Sequence, residues 1–180
     1  MSPDRFTIPA DNRILYYRRD AEMFGFLSHF HPAPIFVDGE TWLTTEHYYQ
    51  AQKSHDPAYR QAIREAATPG RAKRLSAVPD PARLTAKQSW FRKNAALPRP
   101  DWREVKLGVM RCADLAKFTQ HPELAKWLLA TGDAELIEDS ASEPYLGDRP
   151  RWARVKLGRT GNHGSARKAA RGGCRRRRRG

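Results

Sequence analysis

The hydrophobic pattern begins as β. Ile14-Leu15-Tyr16-Tyr17 is a short apolar and aromatic run of the kind that pairs as a strand. After an aromatic loop over residues 24–30, ended by Pro32 and Pro34, come Ile35-Phe36-Val37 and Glu40-Thr41-Trp42-Leu43, joined by Asp38-Gly39. Asp-Gly between two such runs predicts a hairpin with a two-residue turn. The period then changes to that of helices. Thr44 or Thr45 suits an N-cap, Glu46 falls in the first turn, and Asp56-Pro57 limits a helix that carries Lys53 near its far end. A second helix is expected over residues 57–67, with Tyr59, Ala62, Ile63 and Ala66 on one face, and a third over residues 69–75, opened by Pro69. Residues 77–100, with Pro79, Pro81, Pro98 and Pro100, read as an irregular connection with a helical piece near residues 86–92. Asp101 caps a long helix to about Thr119, for which Trp102, Val105, Val109, Leu115 and Phe118 are the expected buried positions. His121-Pro122 starts another, closed at Thr131-Gly132 with glycine past the end. A strand over residues 134–138 and a polar loop through Asp148 follow. Helices outnumber strands, which predicts an α+β fold, mainly α-helical, with a small sheet or hairpin.

Composition refines this picture mainly at the C-terminus. A chain of 180 residues with 39% hydrophobic content suits one globular domain. The net charge of +13 lies entirely in residues 149–180, which hold 13 Lys and Arg and no acid, while residues 1–148 hold 20 of each sign. The domain is therefore assigned to residues 1–148, and residues 149–180 to a basic, low-complexity tail with too little apolar surface to order itself. Cys112 and Cys174 supply no disulfide framework. No apolar signal region opens the chain and no run approaches the ~20 apolar residues of a membrane span, so the expectation is a cytoplasmic protein without membrane association.

The most unusual stretch is Thr44-Thr45-Glu46-His47-Tyr48-Tyr49-Gln50-Ala51-Gln52-Lys53, a predicted helix with hardly any aliphatic content. Glu46, Tyr49, Gln50 and Lys53 recur at i, i+3, i+4 and i+7 and would share one stripe. A solvated face accounts for such a stripe, with Glu46 as a charge suited to the helix N-terminus. So does a catalytic one. A carboxylate, an amine and aromatic rings are the equipment for cleaving a glycosidic bond to nitrogen, which needs support for positive charge at C1′, a proton for the leaving base and a flat surface for its ring. Lys53 could instead attack C1′ and form an imine with the opened ribose. Other constellations are missing: there is no Gly-x-Ser-x-Gly elbow, no Walker loop and no His-Glu-x-x-His helix. His29 and His31 lack a third ligand, so the reading calls for no metal and no cofactor.

Phe26-Leu27-Ser28-His29-Phe30, the Asp38–Lys53 stretch and Leu129-Ala130-Thr131-Gly132-Asp133-Ala134-Glu135-Leu136 together resemble the NADAR family of YbiA-like N-glycosidases, from about Phe24 to Asp148. The resemblance implies Glu46 and Lys53 as catalytic residues, Trp102 as a surface for the base and Asp148, in Tyr145-Leu146-Gly147-Asp148, as a substrate contact. Phe26, His29, Tyr49 and Gln50 complete the candidate substrate-binding set, and Trp90 is a weaker candidate for ring stacking. His29 stands where the family usually has Asn, and Leu146 where it has Trp; Trp152 is a possible replacement ring. Beyond Asp148 the family continues with a Gly-rich loop, an Asn and a closing helix. Codons permitted for residues 149–166, read one nucleotide later, can encode such an ending, so the tail reads as a shifted frame.

The resemblance implies hydrolysis of ribosylamino-pyrimidine phosphates, intermediates of riboflavin synthesis, hence a small-molecule ribosyl-phosphate substrate. Two alternatives stay open. One is removal of ADP-ribose from guanine in nucleic acid; the other is a non-catalytic nucleic-acid-binding protein that uses Arg171 and residues 175–179 as its arm.

Overall fold

The computed structural model describes residues 7–16, 23–77 and 88–138. Asp148, Trp152, Cys174, the tail 149–180 and its proposed frame shift lie outside the described residues. In chain order the elements are β1 (Arg13–Tyr16), a 3-10 turn (Gly25–Leu27), β2 (Ile35–Val37), β3 (Glu40–Trp42), α1 (Thr45–Ala51), α2 (Pro57–Arg64), α3 (Pro69–Leu75), α4 (Trp90–Lys93), α5 (Trp102–Gln120), α6 (Pro122–Ala130) and β4 (Glu135–Glu138). The expected α+β class holds. The chain divides into two compact units, residues 29–120 and the segments on either side of them.

Within residues 29–120, β2 and β3 pair antiparallel with Ile35 opposite Trp42 and Val37 opposite Glu40. Asp38 and Gly39 take φ of 55° and 82°, the two left-handed positions that a tight turn of this hand requires and that Asp-Gly tolerates. The starts of α1, α2, α3 and α4 are each fixed by a capping side chain. Thr44 accepts from His47 N, Asp56 from the backbone of Ala58 and Tyr59 ahead of Pro57, Thr68 from Arg71 N ahead of Pro69, and Ser89 from Arg92 N, each satisfying N–H groups that a helix start leaves unpaired. α1 packs against α2, α3 and α5. The core between them holds Ile35, Trp42, Tyr48, Ala51, Tyr59, Ile63, Ala72, Phe91 and Ala113. Tyr59 and Phe91 stack with centroids 4.8 Å apart, and Trp90 meets Tyr59 edge-on at 5.3 Å; this makes Trp90 part of the core packing. At the far end of α5 the Gln120 amide closes both backbone groups of Phe36, accepting from its N–H at 2.8 Å and donating to its carbonyl at 2.9 Å.

Two expectations about helices need correction. α1 ends at Ala51 with Gln52 as its C-cap, so Lys53 stands in the turn beyond the helix and not on its stripe; its N–H closes back on the Gln50 carbonyl at 3.2 Å. On α5 the inward stripe is Val109, Cys112, Ala113 and Ala116, spaced i, i+3, i+4 and i+7, while Leu115 lies off it and is 44% exposed.

In the other unit β1 and β4 pair in parallel, Ile14 opposite Leu136 and Leu15 opposite Ile137. Asn12, with φ 55°, turns into β1 while its amide nitrogen reaches Asp133 Oδ1 at 3.3 Å. α6 ends at Ala130 with Thr131 as its C-cap, and Gly132 takes φ 61° as the expected left-handed residue past a helix end.

Among the described residues Trp42 is the largest fully buried side chain. Tyr48 meets its ring edge-on at 5.9 Å, and the Arg60 guanidinium lies over it at 5.2 Å while paired to Glu40 at 2.7 Å. Trp42→Ala is expected to lower the unfolding free energy by about 3–5 kcal/mol, read as a shift of the urea midpoint.

Candidate functional site

Six of the candidate residues, His29, Glu46, Tyr49, Gln50, Lys53 and Trp102, lie on α1 or on segments that contact it. At the N-terminal end, the loop carbonyl of His29 accepts from Glu46 N at 3.2 Å and from the Thr45 hydroxyl at 3.1 Å. That capping holds the first turn, and with it the Glu46 side chain, which is 6% exposed. The His29 ring faces α5, where its Nε2 donates to Asp114 Oδ1 at 3.0 Å. One turn further along α5, Lys117 is 1% exposed. Burial pushes its amine down to about 8, against the opposing pull of Asp114.

His47 locks the inner face of α1. Its Nε2 donates to the Ala66 carbonyl at 2.9 Å, which leaves Nδ1 to accept from the Thr44 hydroxyl at 2.9 Å. The ring is fully buried, and burial pushes its pKa below the ordinary 6.5, with the Ala66 carbonyl and the Glu46 charge opposing. Protonation therefore favours the unfolded chain. The stability held by neutral His47 is complete above pH ~6.5 and falls as pH drops from there toward the depressed folded value. Urea midpoints taken between pH 7.5 and pH ~5.5 are expected to fall for the wild type and to stay flatter for His47→Gln, since few carboxylates titrate in that range.

The centre of the arrangement is a line of polar contacts between the two proposed catalytic groups. Gln50 Nε2 donates to Glu46 Oε1 at 2.7 Å, the Ser76 hydroxyl donates to Gln50 Oε1 at 2.5 Å, and Lys53 Nζ points at Ser76 Oγ and the Ser76 carbonyl at 3.5 and 3.4 Å. Glu46, Gln50 and Ser76 are all buried, whereas Lys53 is half-buried. Gln50, expected as a substrate contact, has both ends of its amide engaged within the protein. Its backbone carbonyl also accepts from the Tyr59 hydroxyl at 2.8 Å. Burial pushes the Tyr59 phenol well above its ordinary value.

Aromatic surface comes from two elements. Tyr49, on the Glu46 side of α1, and Trp102, opening α5, lie with ring centroids 5.0 Å apart at 60°, and both are half-buried. The start of α5 is tied to this place because Arg99 N donates to the Lys53 carbonyl at 2.7 Å, while the Arg99 guanidinium grips Asp101 at 2.5 and 2.6 Å. Phe26 belongs to the other unit, where it is buried and meets Trp127 edge-on at 5.5 Å. Asp148 lies outside the described residues. The sequence offered no sign of Ser76 or Asp114: each enters through packing, α3 on α1 and α5 behind the His29 loop.

Comparison with known proteins decides which kind of protein carries this arrangement. The family model of the NADAR domain matches residues 15–164. The chain belongs to the NADAR family. N-glycosidase YbiA of Shigella flexneri is 40% identical over 136 residues, 75% of each chain. Riboflavin biosynthesis protein VVA0006 of Vibrio vulnificus is 37% identical over 134 residues, 74% of this chain and 32% of that protein. The NMR structure of the Escherichia coli protein YbiA is similar with a TM-score of 0.57 at 40% identity, covering 73% of this chain and 68% of that one. This NADAR chain is accordingly an enzyme of the class that hydrolyses N-glycosyl compounds. Among its described residues no helix is long and apolar enough to cross a membrane.

Proposed function

We propose that this NADAR enzyme hydrolyses the N-glycosidic bond of ribosylamino-pyrimidine phosphates, intermediates of riboflavin synthesis, and that Glu46 and Lys53 carry the reaction. The observation that supports this most is the pairing of a buried carboxylate with an amine across Gln50 and Ser76, beside the half-buried rings of Tyr49 and Trp102. The name of the Vibrio relative agrees with the substrate class. In the reaction the neutral Lys53 amine bonds to C1′ as the bond from C1′ to the base nitrogen breaks, and the departing nitrogen takes a proton supplied through Glu46. The ribose ring opens as its oxygen takes a proton from the attached amine nitrogen, leaving an iminium at C1′. Water adds there and gives up a proton to Glu46, restoring the one passed to the base, and the amine departs as the sugar ring closes again. Net, the base gains a hydrogen and C1′ a hydroxyl. Trp102 and Tyr49 hold the base by ring contact.

Incubation of the full chain with a ribosylaminopyrimidine phosphate is expected to release ribose 5-phosphate, measured by mass spectrometry. Release of ADP-ribose from an ADP-ribosylated guanine oligonucleotide in a parallel sample, with no ribose 5-phosphate from the first, would move the assignment to that substrate.

A further inference from the structure

Lys53 is not held by its own helix. α1 stops at Ala51, and the amine hangs from a turn whose fixed points are the Gln50 and Lys53 carbonyls, bonded to Lys53 N and Arg99 N. A lysine on such a turn has four rotatable side-chain bonds and would sample many rotamers, which suits a surface charge but not a group that must meet one carbon atom. The amine meets Ser76, the C-cap of α3, through both its hydroxyl and its carbonyl.

We infer that Ser76 is a positioning residue for Lys53, and that with Gln50 it couples the amine to the Glu46 carboxylate. This deepens the proposed function and rests on it. The donors all run one way: Lys53 N–H toward Ser76 Oγ, Ser76 O–H to Gln50 Oε1, Gln50 N–H to Glu46 Oε1. Hydrogen bonds in such a row polarise one another, and the row here starts at a cation and ends at an anion, the sense in which each strengthens the next. The serine hydroxyl has one hydrogen. Its geometry also permits donation to the Lys73 carbonyl at 3.0 Å, but the 2.5 Å approach to Gln50 Oε1 is the shorter. Donation to Gln50 leaves the oxygen lone pairs for the amine. A neutral amide does not readily pass a proton along its length, so the row sets the position and charge balance of the amine and does not carry protons to Glu46. Its middle is closed by Tyr59, whose hydroxyl holds the Gln50 backbone carbonyl, so the row rests on α1, α2 and α3 together. Ser76 is fully buried, so water does not compete for its hydroxyl.

The test uses the full chain with Ser76→Ala and Ser76→Thr. Steady-state kinetics on a ribosylaminopyrimidine phosphate are combined with the pH titration of Lys53 ¹⁵Nζ by NMR in the absence of substrate. Ser76→Ala is expected to lower kcat by about 10-fold with KM within about twofold, since the amine is displaced but the base and phosphate contacts are not. It should also lower the Lys53 titration midpoint by ~0.5 pH unit, because the ammonium loses an acceptor, and Glu46→Gln should move the midpoint the same way. Ser76→Thr, which keeps the hydroxyl, should recover both readings. A Ser76→Ala enzyme with wild-type kcat, or a Lys53 midpoint that does not move, would overturn the inference. A wild-type protein that releases no sugar would remove the functional reading alone, since the substrate-free titration still decides whether Ser76 holds the amine.

Discussion

Glu46→Gln is expected to reduce kcat on the ribosyl substrate by on the order of 10³-fold, the middle of the range for loss of a positioned acid–base group, while leaving the melting temperature within a few degrees. The substitution is isosteric. Gln50 Nε2 donates to Glu46 Oε1, and an amide oxygen in that place accepts the same bond, so the row to Ser76 stays intact. The backbone of residue 46 keeps its bond to the His29 carbonyl, so the helix start is unchanged. What is lost is the charge facing a developing cation and the capacity to exchange a proton with the leaving nitrogen. Because those interactions are made in the transition state, the loss should fall on kcat and kcat/KM together. A variant that instead raised KM alone would assign Glu46 to binding.

Lys53→Arg separates the two roles open to the amine. Arginine keeps the positive charge but remains protonated throughout the accessible pH range and does not act as a nucleophile. If the amine attacks C1′, Lys53→Arg should be as inactive as Lys53→Ala, with kcat down by roughly 10²-fold or more. If the amine only binds a phosphate, Lys53→Arg should keep most of the wild-type rate and Lys53→Ala should raise KM. Both enzymes should stay folded, because Lys53 is half-buried in a turn after α1 and its backbone bonds to Gln50 and Arg99 do not involve the side chain.

The parts of the fold that the sequence disclosed are those governed by neighbours along the chain. The hairpin was readable because Asp38-Gly39 supplies the two left-handed positions of its turn. α2 and α3 were readable because Asp56-Pro57 and Thr68-Pro69 each place a capping oxygen directly before a residue that needs no N–H partner. The end of α1 was misjudged by two residues, since Gln52 and Lys53 are good helix formers and only tertiary contacts to Ser76 and Arg99 draw the chain away. Leu115 was misassigned on α5 because that helix carries apolar residues on more than one face and periodicity alone does not choose between them. The parallel pairing of β1 with β4 joins strands from opposite ends of the described chain, for which no local signal exists.

The same division applies to the candidate site. Glu46, Tyr49 and Gln50 stand on one side of α1 as their spacing requires, and the ring of Trp102 at the start of α5 meets that of Tyr49, a contact that the sequence did not indicate. That Gln50 bridges Glu46 to Ser76, and that His29 leans on Asp114, depends on α3 and α5 arriving at α1 with particular registers. Ala51, Ala72 and Ala113 belong to the core between these helices, and such small residues carry no signature of what their neighbours do.

The most direct test of the whole account is to add borohydride during turnover of the wild-type enzyme and map the products by peptide mass spectrometry. The account predicts a single substrate-derived sugar reduced onto the peptide that carries Lys53, absent from Lys53→Arg and from samples without substrate. Sustained sugar release with no adduct on Lys53 would contradict it.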